Sequence, residues 1–314
     1  MLINLVPDFL AALEAPDPLE AYRRHLDEHR ALLTAYWHNY ILDLESPHAE
    51  EVIRRALIAD RRDLHALLAA ENVTALAQEA MARCEEAFEI DREFDVVLMV
   101  GVGGANAGEL VVDGRGIAFV CLEHFTGRPN HESLGLGLAP ALIPLWVAHE
   151  VAHTVRYTSP ESRSELVAII RGMSGWYDYW ETGSQATLRE LMVNEGLAVA
   201  ASRAVAPGFE PWDYMGYPRR QYRRLRQLEA FLLHAVQADL DARGLGYRLR
   251  FLSGGMSPNQ RLVAGKVIPE RAGYYLGYRM VEGLVAEQGI ARALRADARV
   301  FEAFDQHARD VQSA

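Results

Sequence analysis

Apolar side chains recur every three or four positions along most of this chain, a spacing that predicts helices. Within residues 1–90 the pattern covers Leu19 to Leu44, Ala49 to Ala70 and Thr74 to Ile90, with Pro16, Pro18 and Pro47 marking breaks. After Asp91 the period changes. The apolar run VVLMV at 96–100 and the segment GELVVDGRGIAFVCLEHF at 108–125 read as strand, turn, strand. Helical spacing returns at Ala139 to Tyr157, where Leu142, Trp146, Val147 and Val151 would bury one side. It recurs at Leu188 to Ala204, along an Arg-rich stretch, and from Pro269 through Ala286, with a C-terminal pair of helices separated near Gly289. The expected fold class is α+β and mostly helical, in three blocks. These are an N-terminal helical region at 1–90, a small sheet with one buried helix at 91–158, and a C-terminal helical lobe at 159–314.

Composition narrows the function classes. At 314 residues and 50 per cent apolar content the chain can bury a substantial core, with room for two lobes. The opening MLINLVPDFLAALEAPDP has no basic region ahead of its apolar residues, and Pro7 and Asp8 interrupt them, so no signal peptide is expected. The longest apolar stretch, Leu134 to Ala148, runs about 15 residues and contains two prolines, too short and broken for a membrane span. A cytoplasmic address is the expectation. A net charge of −11 argues against nucleic acid as principal partner. The local exception is Arg219, Arg220, Arg223, Arg224 and Arg226, read as a solvated face or a contact for an acidic group. Cys84 and Cys121 form no CxxC-type pair and read as small core residues, and nothing beside Cys121 and His124 supports a nucleophile. The loop VGVGGAN at 100–106 is followed by strand patterning rather than a helix, which excludes a dinucleotide-binding turn.

The chemistry concentrates in His149-Glu150-Val151-Ala152-His153. On a helix, residues four apart share a face, so both imidazoles can bind one Zn2+ while Glu150 reaches the water beside it. A carboxylate there can take a proton from attacking water and return it to a leaving amine. A third ligand is needed, and Glu195 is the candidate: it lies between Val193 and Leu197 on an apolar segment, where an unpaired carboxylate would be costly. Gly196 beside it suggests a close approach by another element, with the HEVAH helix as the candidate. Glu190, next to Arg189, is the competitor and reads as a solvated face. One zinc per chain is expected.

HEVAH, followed by Asn-Glu-Gly-Leu-Ala at 194–198, resembles the gluzincin branch of the zincin metallopeptidases. Within it the chain is similar to a bacterial family of predicted zinc-dependent proteases catalogued as a domain of unknown function, over roughly Asp95 to Gly289. The resemblance implies a zincin-like fold, with the small sheet packed on the HExxH helix between helical lobes, and a peptide or protein as substrate. It implies an edge strand at Ile117 to Leu122 that pairs with an extended substrate. It also implies a tyrosine opposite Glu150 that steadies the oxyanion, either Tyr274 or Tyr275, with Arg279 as a second donor. Thermolysin-like members carry Asp four residues after the third ligand; here that position is Val199, which leaves the group orienting His149 undefined. Two alternatives stay open: a peptide-binding or regulatory module without turnover, and a zinc hydrolase of a non-peptide amide or ester. Aminopeptidase action would need an acid near the substrate amine, for which Glu123 and Glu132 are available.

Overall fold

In the computed structural model, residues 1–41 and 43–301 are described. Leu42, within the helix expected at Leu19 to Leu44, and the last part of the expected C-terminal lobe, 302–314, lie outside them. The chain opens as strand β1 (Leu2–Asn4), which pairs in parallel with β2 (Phe94–Met99). Between these strands run six helices: α1 (Val6–Glu14), α2 (Pro18–Glu28), α3 (Arg30–His38), α4 (Pro47–Ile58), α5 (Arg62–Ala70) and α6 (Val73–Ala87). Pro18 and Pro47 start helices rather than interrupt them. Each occupies the first helical position behind a capping side chain, Asp17 or Ser46, that accepts a backbone N–H. Two of the long helices expected here divide. His29, at φ −114°, separates α2 from α3, and extended Ala59 separates α4 from α5. Apolar spacing alone does not register one to three non-helical residues at a corner.

The sheet has the order β1, β2, β4, β3, with β3 spanning Ala107–Val112 and β4 spanning Arg115–Cys121. Asp113 and Gly114, both at positive φ, make the two-residue turn that sets β3 antiparallel to β4. β4 also pairs in parallel with β2, from Phe94 with Gly116 to Met99 with Cys121. The run Ile117 to Leu122 is thus an interior strand, not the expected edge; β3 is the edge. The reason is legible in retrospect, because every residue from Gly116 to Cys121 is buried, as a strand covered on both faces requires.

Helix α7 (Ile143–Thr158) lies across β3 and β4, with α6 and α10 (Leu188–Val205) packed against its other sides. Almost every residue of α7 is buried, where one buried side was expected. Short helices α8 (Glu165–Gly172) and α9 (Tyr179–Gln185) lead into α10. Beyond it come α11 (Arg219–Gln227), α12 (Glu229–Gln237), α13 (Leu245–Leu252), α14 (Ala272–Gln288) and α15 (Ile290–Leu294), the last two divided at Gly289 as expected. The five arginines of α11 are exposed and Leu225 alone is buried, as a solvated face requires. None of the helices among the described residues is long and apolar enough to cross a membrane.

The helix that approaches Gly196 is α14 rather than the HEVAH helix α7, and glycines on both sides make the close crossing of α10 and α14 possible. A Cβ on Gly196 would stand 2.1 Å from the carbonyl carbon of Gly277, and one on Gly277 would stand 1.9 Å from the Met192 oxygen. Both obstacles are backbone. Helix propensity predicts that Gly→Ala stabilises a helix by about 1 kcal/mol. We expect the opposite sign for Gly196→Ala and Gly277→Ala, a loss of about 1–3 kcal/mol or more from overpacking, read from urea unfolding midpoints.

Candidate metal and catalytic site

His149, Glu150 and His153 project from α7, and Glu195 faces them from α10. The Nε2 atoms of His149 and His153 lie 3.5 and 3.6 Å from Oε2 of Glu195. Ligand atoms from all three residues fall within 4.8 Å of one another. A tetrahedron with bonds of roughly 2.0–2.1 Å has edges of roughly 3.3–3.4 Å, so the spacing suits donors to one Zn2+. Oε2 of Glu195 is buried and has no hydrogen-bond partner among the described residues. An orphaned carboxylate oxygen aimed at two imidazole nitrogens is costly unless a cation completes it. The donor set of two nitrogens and one carboxylate oxygen therefore fits zinc.

Aromatic rings hold the imidazoles. Tyr274 stacks on His149 with centroids 6.1 Å apart, Tyr157 stacks on His153 at 5.9 Å, and Trp146 packs on His149 at 5.1 Å. Neither Nδ1 has a hydrogen-bond partner among the described residues. Val199 is fully buried, so this site orients its histidines by packing rather than by the carboxylate found in thermolysin-like proteins.

The site's electrostatics follow from burial against local charge. Burial lowers the His149 pKa. At His153 burial acts the same way, but the carboxylates of Glu109, Glu195 and Glu150 outweigh it and raise the pKa to about 10. Burial favours the neutral form of Glu195, yet the two imidazoles overcome it and hold the carboxyl below its ordinary range. Burial pushes Glu150 well above the ordinary carboxylate range, with Glu109 and Glu195 adding to the rise. Raised proton affinity in an apolar setting is the direction in which enzymes tune a carboxylate that takes up a proton near neutral pH.

Two residues complete the site without having stood out in the sequence. Glu109, on β3, comes within 4.8 Å of Glu150 and His153 and accepts a hydrogen bond from Tyr157 Oη at 3.0 Å. Asn194 Nδ2 donates to the same hydroxyl at 3.0 Å. The available signal was an acidic residue directly ahead of the apolar run Leu110-Val111-Val112. Arg271, in the left-handed region at φ 53°, lays its guanidinium 4.1 Å from the centre of the Tyr274 ring. Its signal was a cation just ahead of a helix, where the dipole disfavours positive charge.

Several expected residues go elsewhere. Tyr275 donates to Glu229 on α12, and Arg279 pairs with Glu229 and Glu282, so neither faces the imidazoles. Adjacent helical positions diverge by about 100°, and only Tyr274 takes the inner side. Glu190 is no solvated face: it is fully buried and accepts Nε and Nη2 of equally buried Arg156 at 2.9 and 2.6 Å. Arg156 also donates to the Leu294 and Ala296 carbonyls, which ties α7 to the end of α15. Glu123 is buried and accepts from Gly101 N at 2.8 Å, while Glu132 accepts from Asp60 N at 3.0 Å on the surface. Neither belongs to the clusters of possible ligands around His153. Cys84 and Cys121 are buried, and burial raises both thiols, as expected of inert core residues.

Residues 175–302 match the profile of a family described as "Predicted Zn-dependent protease (DUF2268)". The resemblance to that family therefore holds over the segment that carries Glu195, Arg271 and Tyr274; His149, Glu150 and His153 lie ahead of it. No curated protein and no solved structure matches the chain.

The two buried glutamates of α10 are expected to separate in a pair of assays. Glu195→Gln should lose about one equivalent of bound zinc relative to the native chain, measured by elemental analysis, because it removes a ligand opposite His149 and His153. Glu190→Gln should leave zinc content intact and lower stability by about 3–5 kcal/mol, because it strands the Arg156 charge.

Proposed function

We propose that this protein is a zinc-dependent peptidase of the gluzincin type, with a zincin-like arrangement of sheet and helices and a peptide or protein as substrate. The observation that carries the reading is the convergence of two imidazole nitrogens and an orphaned carboxylate oxygen beside a second, buried carboxylate. His149, His153 and Glu195 would hold one zinc. When bound, the metal supplies Lewis-acid polarisation of a carbonyl and lowers the pKa of water near it. Glu150 accepts a proton from the attacking water and passes it to the leaving amine nitrogen. The Tyr274 hydroxyl donates to the oxyanion that develops on the substrate carbonyl, and the Arg271 guanidinium on its ring adds positive potential there.

The edge of β3 suits an extended chain. Asn106 accepts from Cys121, so alternate backbone groups from Asn106 face β4 and those of Ala107, Glu109 and Val111 face outward. Tyr177 N–H already donates to the Val111 oxygen at 3.0 Å, which stops pairing at that end. Ala107 and Glu109 are left as the outward pairing positions beside the catalytic carboxylate.

Glu150→Gln is expected to keep its zinc and lose about 10²–10⁴ in kcat on a peptide library; retained turnover would remove the general-base role. Tyr274→Phe should lower kcat about 10²-fold with zinc unchanged, whereas Tyr275→Phe should leave kcat near native, a contrast read from parallel kinetics.

A further inference from the structure

A second cluster of metal-type donors lies in the N-terminal helices, where the peptidase reading has no use for it. His25 near the end of α2 and His29 at the corner before α3 stand four residues apart, and His29 N–H still donates to the His25 carbonyl at 3.2 Å. The helical relation is therefore preserved between them. Their rings lie 5.2 Å apart at 64°, close to the 5.0 Å and 77° of His149 and His153. Asp8, in the first turn of α1, brings Oδ2 to 3.6 Å from His29 Nε2, the same separation as between His153 and Glu195. Ligand atoms of the three residues again fall within 4.8 Å of one another.

The cluster shows the mark of an incomplete site. His25 is 7 per cent exposed, is covered by the Tyr22 ring at 5.7 Å, and has a buried Nδ1 with no hydrogen-bond partner among the described residues. The Asp8 to His29 distance is too long for a good hydrogen bond and near the edge of a metal tetrahedron. We infer that Asp8, His25 and His29 form a second divalent transition-metal site, which takes zinc and clamps α1 to the α2–α3 corner. Two imidazoles and one carboxylate select Zn2+, Co2+ or Ni2+ over Mg2+ and Ca2+. The site is not built for hydrolysis: Leu26 stands where the first cluster has Glu150, and Asp8 is open to solvent. Its role is to stabilise the first helices, and it does not depend on the peptidase reading.

The experiment is equilibrium dialysis of the full chain against buffered free Zn2+, with bound metal counted by elemental analysis and Tm followed in the same buffers. The native chain is expected to take up about two zinc ions, and Asp8→Asn and His29→Gln about one each. Both substitutions fall at solvent-accessible positions, and circular dichroism checks their fold. Glu195→Gln, which disables the other site, should keep this one and its zinc-dependent rise in Tm. A native chain that stays at one zinc throughout, or Asp8→Asn and His29→Gln variants that still take up two, overturns the proposal. Uptake of one zinc by the native chain that Glu195→Gln abolishes would leave the catalytic cluster as the sole metal site.

Discussion

The arrangement rests on the enclosure of α7. Sheet, α6 and α10 surround this helix, and it carries two imidazoles, a carboxylate and a guanidinium into the interior. Buried ionisable groups cost several kcal/mol unless something compensates them. α10 supplies both compensations, with Glu195 opposite His149 and His153, and Glu190 opposite Arg156. The two ties differ in kind. Arg156 and Glu190 satisfy each other directly and reach on to the Leu294 and Ala296 carbonyls. His149, His153 and Glu195 converge without bonding one another, which keeps their donor atoms available to a cation.

The glycine contact between α10 and α14 extends this logic to the rest of the site. Because Gly196 follows Glu195 directly, the backbone of α14 comes in beside the carboxylate. That approach carries Tyr274 onto the face of His149, with Arg271 behind it. A bulkier residue at either glycine would move the tyrosine and the carboxylate together, since both depend on one interhelical distance. Stability and site geometry are coupled at that crossing.

On the opposite side of α7 the edge strand β3 contributes Glu109, making three carboxylates around two imidazoles. Burial raises the pKa of Glu150 and the charges of Glu109 and Glu195 add to the rise, while the His153 imidazole acts against it. Glu195, against both Nε2 atoms, is held below the ordinary carboxylate range, while burial raises the proton affinity of Glu150.

Much of this was legible locally. Spacing within one helix put His149 and His153 on one face, and an acid among apolar neighbours singled out Glu195, because these are relations between residues a few positions apart. Helix existence, the Asp113-Gly114 hairpin and the break at Gly289 follow from the same short-range rules. The order of strands does not, since β4 gains its second neighbour from β2, whose pairing depends on a crossover rather than on local pattern. Likewise the sequence could not separate Tyr274 from Tyr275, and it placed Glu190 on a solvated face because its buried partner Arg156 lies on another helix. Rotation of α14 and α10 against α7 decided both, turning Tyr275 to Glu229 and Glu190 to Arg156. The sequence by itself determined which groups could do chemistry, because side-chain type and helical period are local; only tertiary packing decided which of them meet.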